Sequence, residues 1–221
     1  MSNHNLSCWW IVLLTLTIAG CGSGPVYHVR SDVDFSFIRS VAVVPFQNLS
    51  AERFATQRMS SVFISELLQF DELMVLDPGE VLEAYSSMRL SPDVPLTSDQ
   101  IVALGQRLGV DALFTGTVED YGLERLGGNQ TYAVTAVFGM SETQTGGQIW
   151  TAQIRHDGSS FWQKLFGGQP TSLYEVSRKA VREALGTLLG GGGGGSESQN
   201  SRGRDSSASA TFPNRLITTD A

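Results

Sequence analysis

Val41-Ala42-Val43-Val44-Pro45-Phe46 is a short, unbroken apolar run that closes at a proline. A strand wet on one face alternates in character; this one does not, so it reads as buried on both faces of a covered sheet. Pro45 marks its end, because proline has no N–H to give to a central ladder. Working outward, Arg53 to Phe70 places Met59, Phe63, Leu67 and Phe70 at helical spacing. Leu73-Met74-Val75-Leu76 reads as the second strand. Asp77-Pro78-Gly79-Glu80 opens a helix, with Asp77 as N-cap, Pro78 at the first position and Glu80 reaching back. Thr97-Ser98-Asp99-Gln100 repeats the capping signal before a helix that runs to Leu108, and Gly109 suits the left-handed position that closes it. Ala112 to Tyr121 reads as a third strand, with Leu113, Phe114 and Val118 buried. Tyr132 to Glu142 alternates, so Tyr132, Val134, Ala136 and Phe138 share a face. Thr145-Gly146-Gly147 is turn chemistry, Gln148 to His156 returns as a fifth strand, and Thr171 to Leu189 closes the fold as a helix striped by Leu173, Val176, Ala180, Ala184 and Leu188. The order β-α-β-α-α-β-β-β-α predicts one α/β domain over residues 35–189, a mixed five-stranded sheet flanked by helices, with no internal repeat.

The flanks have a different character. Trp9 to Ala19 is uncharged and about a dozen residues long, enough for a signal-peptide core and short of the ~20 apolar residues that a spanning helix needs. It ends in Ile18-Ala19-Gly20-Cys21, which looks like a bacterial lipobox. On that reading residues 1–20 are a lipoprotein signal peptide and Cys21 carries acyl chains, palmitate among them, that hold the protein on a bilayer without crossing it. The plainer alternative is an ordinary cleavable signal with an incidental cysteine. The segment before Trp9 has no Lys or Arg, only His4, a departure from the usual positive leader. Cys8 leaves with the leader, so no disulfide framework and no cysteine-based zinc site can be built. Gly22, in place of an Asp, favours the outer membrane with the body facing the periplasm, and residues 21–34 read as a flexible tether.

At the other end, Gly190 to Gly195 is an unbroken glycine run followed by Ser, Glu, Gln, Asn and Arg. Residues 190–221 read as a disordered tail, since glycine loses the most backbone entropy on ordering and few large apolar groups compensate. A phosphate loop is excluded, because no Gly-Lys-Ser/Thr follows and no strand precedes. Phe212 to Ile217 is either part of that tail, which its composition favours, or a docking peptide. The formal net charge of −7, with no basic stripe, argues against nucleic acid.

Val41 to Asn48, Leu108-Gly109-Val110-Asp111-Ala112-Leu113-Phe114-Thr115-Gly116-Thr117-Val118 and Thr145-Gly146-Gly147-Gln148-Ile149-Trp150 together resemble a periplasmic lipoprotein superfamily. It includes the curli secretion lipoprotein CsgG and the penicillin-binding-protein activator LpoB. The resemblance covers about Ile38 to Leu189. It implies a fold like the N-terminal domain of TolB and a non-enzymatic role, binding and regulating an envelope protein or assembly machine. The alternative is a CsgG-like oligomeric secretion component. That pore inserts two long hairpins per subunit; here Gly122 to Gln130 reads as a short polar loop and Asp157 to Pro170 as too short, so a pore of that type is not expected. The residues themselves read as scaffold. Gly116 suits a strand site that a neighbouring backbone or large side chain approaches closely, Gly146 and Gly147 permit positive φ, and Trp150 is a core or sheet-face aromatic.

Chemistry-bearing residues are few. His156-Asp157-Gly158-Ser159-Ser160 contains the residue types of a nucleophilic triad, but sequence neighbours at a strand end point in different directions, and a polar loop start is the simpler reading. No Gly-x-Ser-x-Gly elbow, metal-ligand spacing or cofactor motif is visible, so no enzyme, metal or cofactor is expected. Phe161, Trp162, Leu165 and Phe166 would cluster on one side of a helical turn. Such a cluster either folds back as a lid on the sheet, which is favoured, or forms a contact for an envelope protein partner or a second subunit. A hydrolase assembled around His156 is a distant third alternative.

Overall fold

The structure, a computed structural model, describes residues 25–30, 35–126, 129–158 and 171–190. Its elements are β1 (Val26–Val29), a 3-10 turn (Phe35–Phe37), β2 (Ser40–Val43), β3 (Gln47–Asn48), α1 (Ala55–Leu67), β4 (Met74–Val75), α2 (Pro78–Ser87), α3 (Ser98–Leu108), β5 (Ala112–Leu126), β6 (Asn129–Glu142), β7 (Gln148–Asp157) and α4 (Leu173–Gly190). The seven strands form one sheet in the order β1-β7-β6-β5-β2-β4, with β3 also paired to β5. The β2/β4, β2/β5 and β3/β5 pairs are parallel, and the rest are antiparallel.

The α/β class, the mixed sheet and the five expected strands are present, and two more strands join them. All four residues of β2 are buried, and Pro45 closes it after the Val44 amide donates to the Phe114 carbonyl at 3.0 Å. Past the proline the chain pairs with β5 again as β3. The Asp77 carboxylate accepts from the amides of Gly79 and Glu80. Thr97 and Gln100 form a reciprocal capping box, and Gly109 sits at φ +66°.

One face of the sheet carries the larger core. Val41, Val43, Phe46, Phe114, Phe138 and Trp150 meet the stripes of α1 and α4. On the other face Ala42, Val44 and Leu113 meet Val81, Tyr85, Ile101 and Leu104 from α2 and α3. Within the larger core Phe63 packs edge-on to Phe46 and Phe114, at 5.6 and 5.3 Å between centroids. Gly116 makes room for Phe46, because a Cβ there would lie 2.8 Å from two of its ring carbons. Trp150 is fully buried, and its indole N–H donates to Thr187 at 3.0 Å. Gly146 takes φ +71° and its Cα packs against the Ser98 backbone, so the β6–β7 turn docks on the start of α3; Gly147 keeps a negative φ.

Two expectations are corrected. Val26–Val29 is no free tether: it pairs antiparallel with β7 from Val26↔Gln153 to Val29↔Trp150. Of Gly122 to Gln130, expected as a polar loop, Gly122–Leu126 and Asn129–Gln130 are strand. The β5–β6 ladder continues through Gly122↔Ala133 and Leu123↔Tyr132 out to Leu126↔Asn129. Cross-strand hydrogen bonding supports this hairpin where hydrophobic alternation does not.

Candidate interaction surfaces

The parallel strands and the helices that follow them give the domain two ends. At one end lie the tip of the β5–β6 hairpin and the beginnings of α1 and α4. At the other lie the start of β2 and the ends of α1 and α4.

At the hairpin end, α1 and α4 flank a groove of about 670 Å³ floored by Val62 and Tyr121 and walled by Phe54, Leu173 and Tyr174. Phe54 and Tyr174 are 48% and 55% exposed, unusual for aromatic rings on a compact domain. The Arg53 guanidinium lies 5.4 Å from the Phe54 ring centroid, and Arg58 stands at the rim. Ser61 and Ser65 line the groove, but their hydroxyls donate to the helix carbonyls of Gln57 and Ser61 at 2.9 and 2.8 Å. With those donors engaged, the wall is less polar than its composition. The Ser177 hydroxyl is shared between the Leu173 carbonyl at 2.8 Å and the Tyr121 hydroxyl at 3.3 Å, which fixes the floor. Leu123, 58% exposed, extends the apolar strip along the hairpin. On the opposite face of the hairpin Arg155 ties the strands together through Glu124 (2.6 Å), Thr135 (3.1 Å) and Asp120 (3.6 Å).

At the other end is a groove of about 920 Å³. Ile38, Met140 and Leu188 form its buried floor, and Phe35, Phe70 and Leu73 are half-buried walls. Asp71 and Glu72 stand on its rim, together with Arg39.

Two carboxylates, one buried and one partly buried, act as structural ties. Glu66 on α1 accepts from Arg178 at 2.8 Å and Arg182 at 2.6 Å, both on α4. Burial pushes its pKa up, but the hydrogen bonds and charges of Arg182 and Arg178 outweigh that and hold the carboxyl below its ordinary value. Asp111 Oδ2 accepts from the amides of Arg39 and Ser40 and from the Ser40 hydroxyl, at 3.0, 2.8 and 2.7 Å. Here too burial raises the pKa and is outweighed, by the Ser40 hydroxyl, the two amides and the Arg39 charge, so Asp111 lies below the usual range. These contacts pin the start of β5 to the start of β2.

The Nε2 of His156 meets Glu183 on α4. Ser159 and Ser160 lie outside the described residues, as do Cys21, Phe161, Trp162, Leu165 and Phe166. Gly158 and Thr171, which flank that aromatic segment, sit side by side at the hairpin end. Among the described residues no group of three His, Cys, Asp or Glu side chains could hold a metal, and no helix is long and apolar enough to cross a membrane. Sequence reasoning missed Phe54, Leu123 and Tyr174 as surface and Tyr121 as the floor between them. Tyr174 carried a signal, since it falls off the buried stripe of its helix and is still aromatic.

No known family model matches the chain, and no curated protein matches it. Solved structures share its fold. The lipoprotein GNA1162 from Neisseria meningitidis is 20% identical with a TM-score of 0.51, the match covering 67% of this chain and 99% of that one. The PelC dodecamer from Paraburkholderia phytofirmans is 15% identical with a TM-score of 0.52, covering 75% and 98%. The LpoB C-terminal domain from Salmonella enterica is 15% identical with a TM-score of 0.42, covering 57% and 86%. At these identities the likeness establishes the fold.

Proposed function

We propose that the protein is a non-enzymatic lipoprotein of the periplasmic face of the outer membrane, anchored through acylated Cys21, that binds and regulates an envelope protein. The observation that carries the binding role is the aromatic groove between α1 and α4, with Phe54 and Tyr174 exposed on its walls. Exposed aromatic side chains grouped around a groove are the usual anchors of protein recognition. The cluster of Phe161, Trp162, Leu165 and Phe166, whose flanking residues Gly158 and Thr171 lie at the same end, is proposed to share that contact. The lipobox supports the anchor, and the fold shared with a Neisseria lipoprotein is compatible with it.

The test pairs two measurements in a bacterial host. Labelling with a clickable palmitate analogue should mark the wild type and not Cys21→Ser. A photo-crosslinker at position 174 should capture a defined envelope protein, and one at exposed Glu80, on α2, should not. Equal labelling of Cys21→Ser removes the anchor, and crosslinks equally frequent at both positions remove the binding surface.

A second reading is an oligomeric envelope component. It is favoured by the fold match to PelC, which is described as a dodecamer. Mass photometry of the purified chain separates the two: a discrete multimer supports the second, and a monomer that acquires mass only with its captured partner supports the first.

A further inference from the structure

We propose that the groove at the end of α4 is occupied by this chain's own C-terminal segment Phe212-Pro213-Asn214-Arg215-Leu216-Ile217. The first argument is where the chain goes. Leu188 is part of the groove floor, α4 ends two residues later, and residues 191–211 separate that end from Phe212. This connector is glycine- and serine-rich, and a coil of that composition and length has an r.m.s. span of roughly 25 Å. Its origin beside the groove therefore keeps Phe212 to Ile217 within reach, at an effective concentration on the order of 1 mM.

The second argument is chemical fit. Ile38, Phe70, Leu73 and Met140 present an apolar trough, and Phe212, Leu216 and Ile217 are the large apolar side chains of the tail. The rim carries Asp71 and Glu72, while the charge of Arg39 already faces Asp111. That leaves an acidic edge for Arg215. A free peptide with a Kd of only about 0.1 mM would be held closed about ten to one by such a linkage. The tail then acts as an intramolecular plug on an apolar face that would otherwise be open to other proteins.

Hydrogen exchange on the full chain tests this directly. The amides of Ile38, Phe70 and Leu73 bond only to the turn carbonyls of Phe35, Leu67 and Phe70, so they report opening of the groove wall. Wild type should exchange there about tenfold more slowly than a Phe212→Ser, Leu216→Ser, Ile217→Ser variant. Arg215→Glu should fall in between. The ratio should hold from about 1 to 100 µM protein, because the contact is within one chain. Equal exchange in wild type and triple variant overturns the proposal. So does protection that grows with concentration, which would assign the groove to another copy, or protection of residues 212–217 with no effect on the wall amides, which would place the tail elsewhere. None of these readouts depends on Cys21 or on an envelope partner, so the outcome is separable from the proposed function.

Discussion

Gly116→Ala probes the tightest packing in the sheet. A Cβ at that position would lie 2.8–2.9 Å from three carbons of the Phe46 ring, where favourable carbon contacts begin near 3.5 Å. The ring has little freedom to yield: Phe63 meets it edge-on at 5.6 Å, Phe138 lies at 5.9 Å, and all three are buried. Either the ring leaves its rotamer or β5 moves away from β2, and overpacking of this kind costs about 1–3 kcal/mol. For a domain of this size each kcal/mol lowers the thermal midpoint by about 2–4 °C, so a fall of roughly 5 °C is expected. The control is the same substitution at Gly186, an exposed position on α4 where a Cβ meets nothing within 4 Å. There the change should stabilise by about 0.5–1 kcal/mol, through better helix propensity and a less free unfolded chain. Urea unfolding followed by far-UV circular dichroism measures both, and adding Phe46→Leu to Gly116→Ala should recover part of the loss through coupling of contacting sites. A Gly116→Ala protein as stable as wild type would refute the packing argument.

Glu66→Gln should cost about 1–2 kcal/mol by urea titration near neutral pH, a modest figure because Arg178 and Arg182 keep water contact. The native pKa of Glu66 is lowered, so its contribution is present above the unfolded value and is lost as pH falls through and below about 4; the variant should show a shallower loss of stability between pH 6 and 3. Asp111→Ala strands the amides of Arg39 and Ser40 and should destabilise by about 1–3 kcal/mol, with exchange accelerated at the β2–β5 junction. Phe54→Ser with Tyr174→Ser should leave the thermal midpoint nearly unchanged, within about 0.5 kcal/mol for each exposed site, while reducing partner capture by a photo-crosslinker at the groove-rim position 58 several-fold.

The parts of the fold legible in sequence were those fixed by local chemistry. Thr97 with Gln100, Asp77 and Gly109 each satisfy or end a helix through neighbours within three or four residues, so spacing alone identifies them. Gly116 was legible as a site of close approach, though not as the seat of Phe46. What escaped notice was fixed at a distance. Val26–Val29 is four residues long beside a lipobox and is a strand only because the edge of β7 is available to it. The outer hairpin reads Gly-Leu-Glu-Arg-Leu, polar enough to suggest a loop, and its conformation comes from the ladder to β6. Glu66 and Asp111 carry no local signal of their roles, because their partners lie 112 and 116 residues away in one case and 71 and 72 in the other. The aromatic groove is assembled from α1, β5 and α4, and no single segment displays it.

The small edge strand also sets a length scale. With Cys21 acylated as proposed, the leash ends at Val26, and five residue steps at full extension span no more than about 18 Å. A 14-residue tether would have let the body wander some 50 Å into the periplasm; on that proposal this one would keep it near the headgroups. Any protein it engages must come to the membrane surface, or already live there.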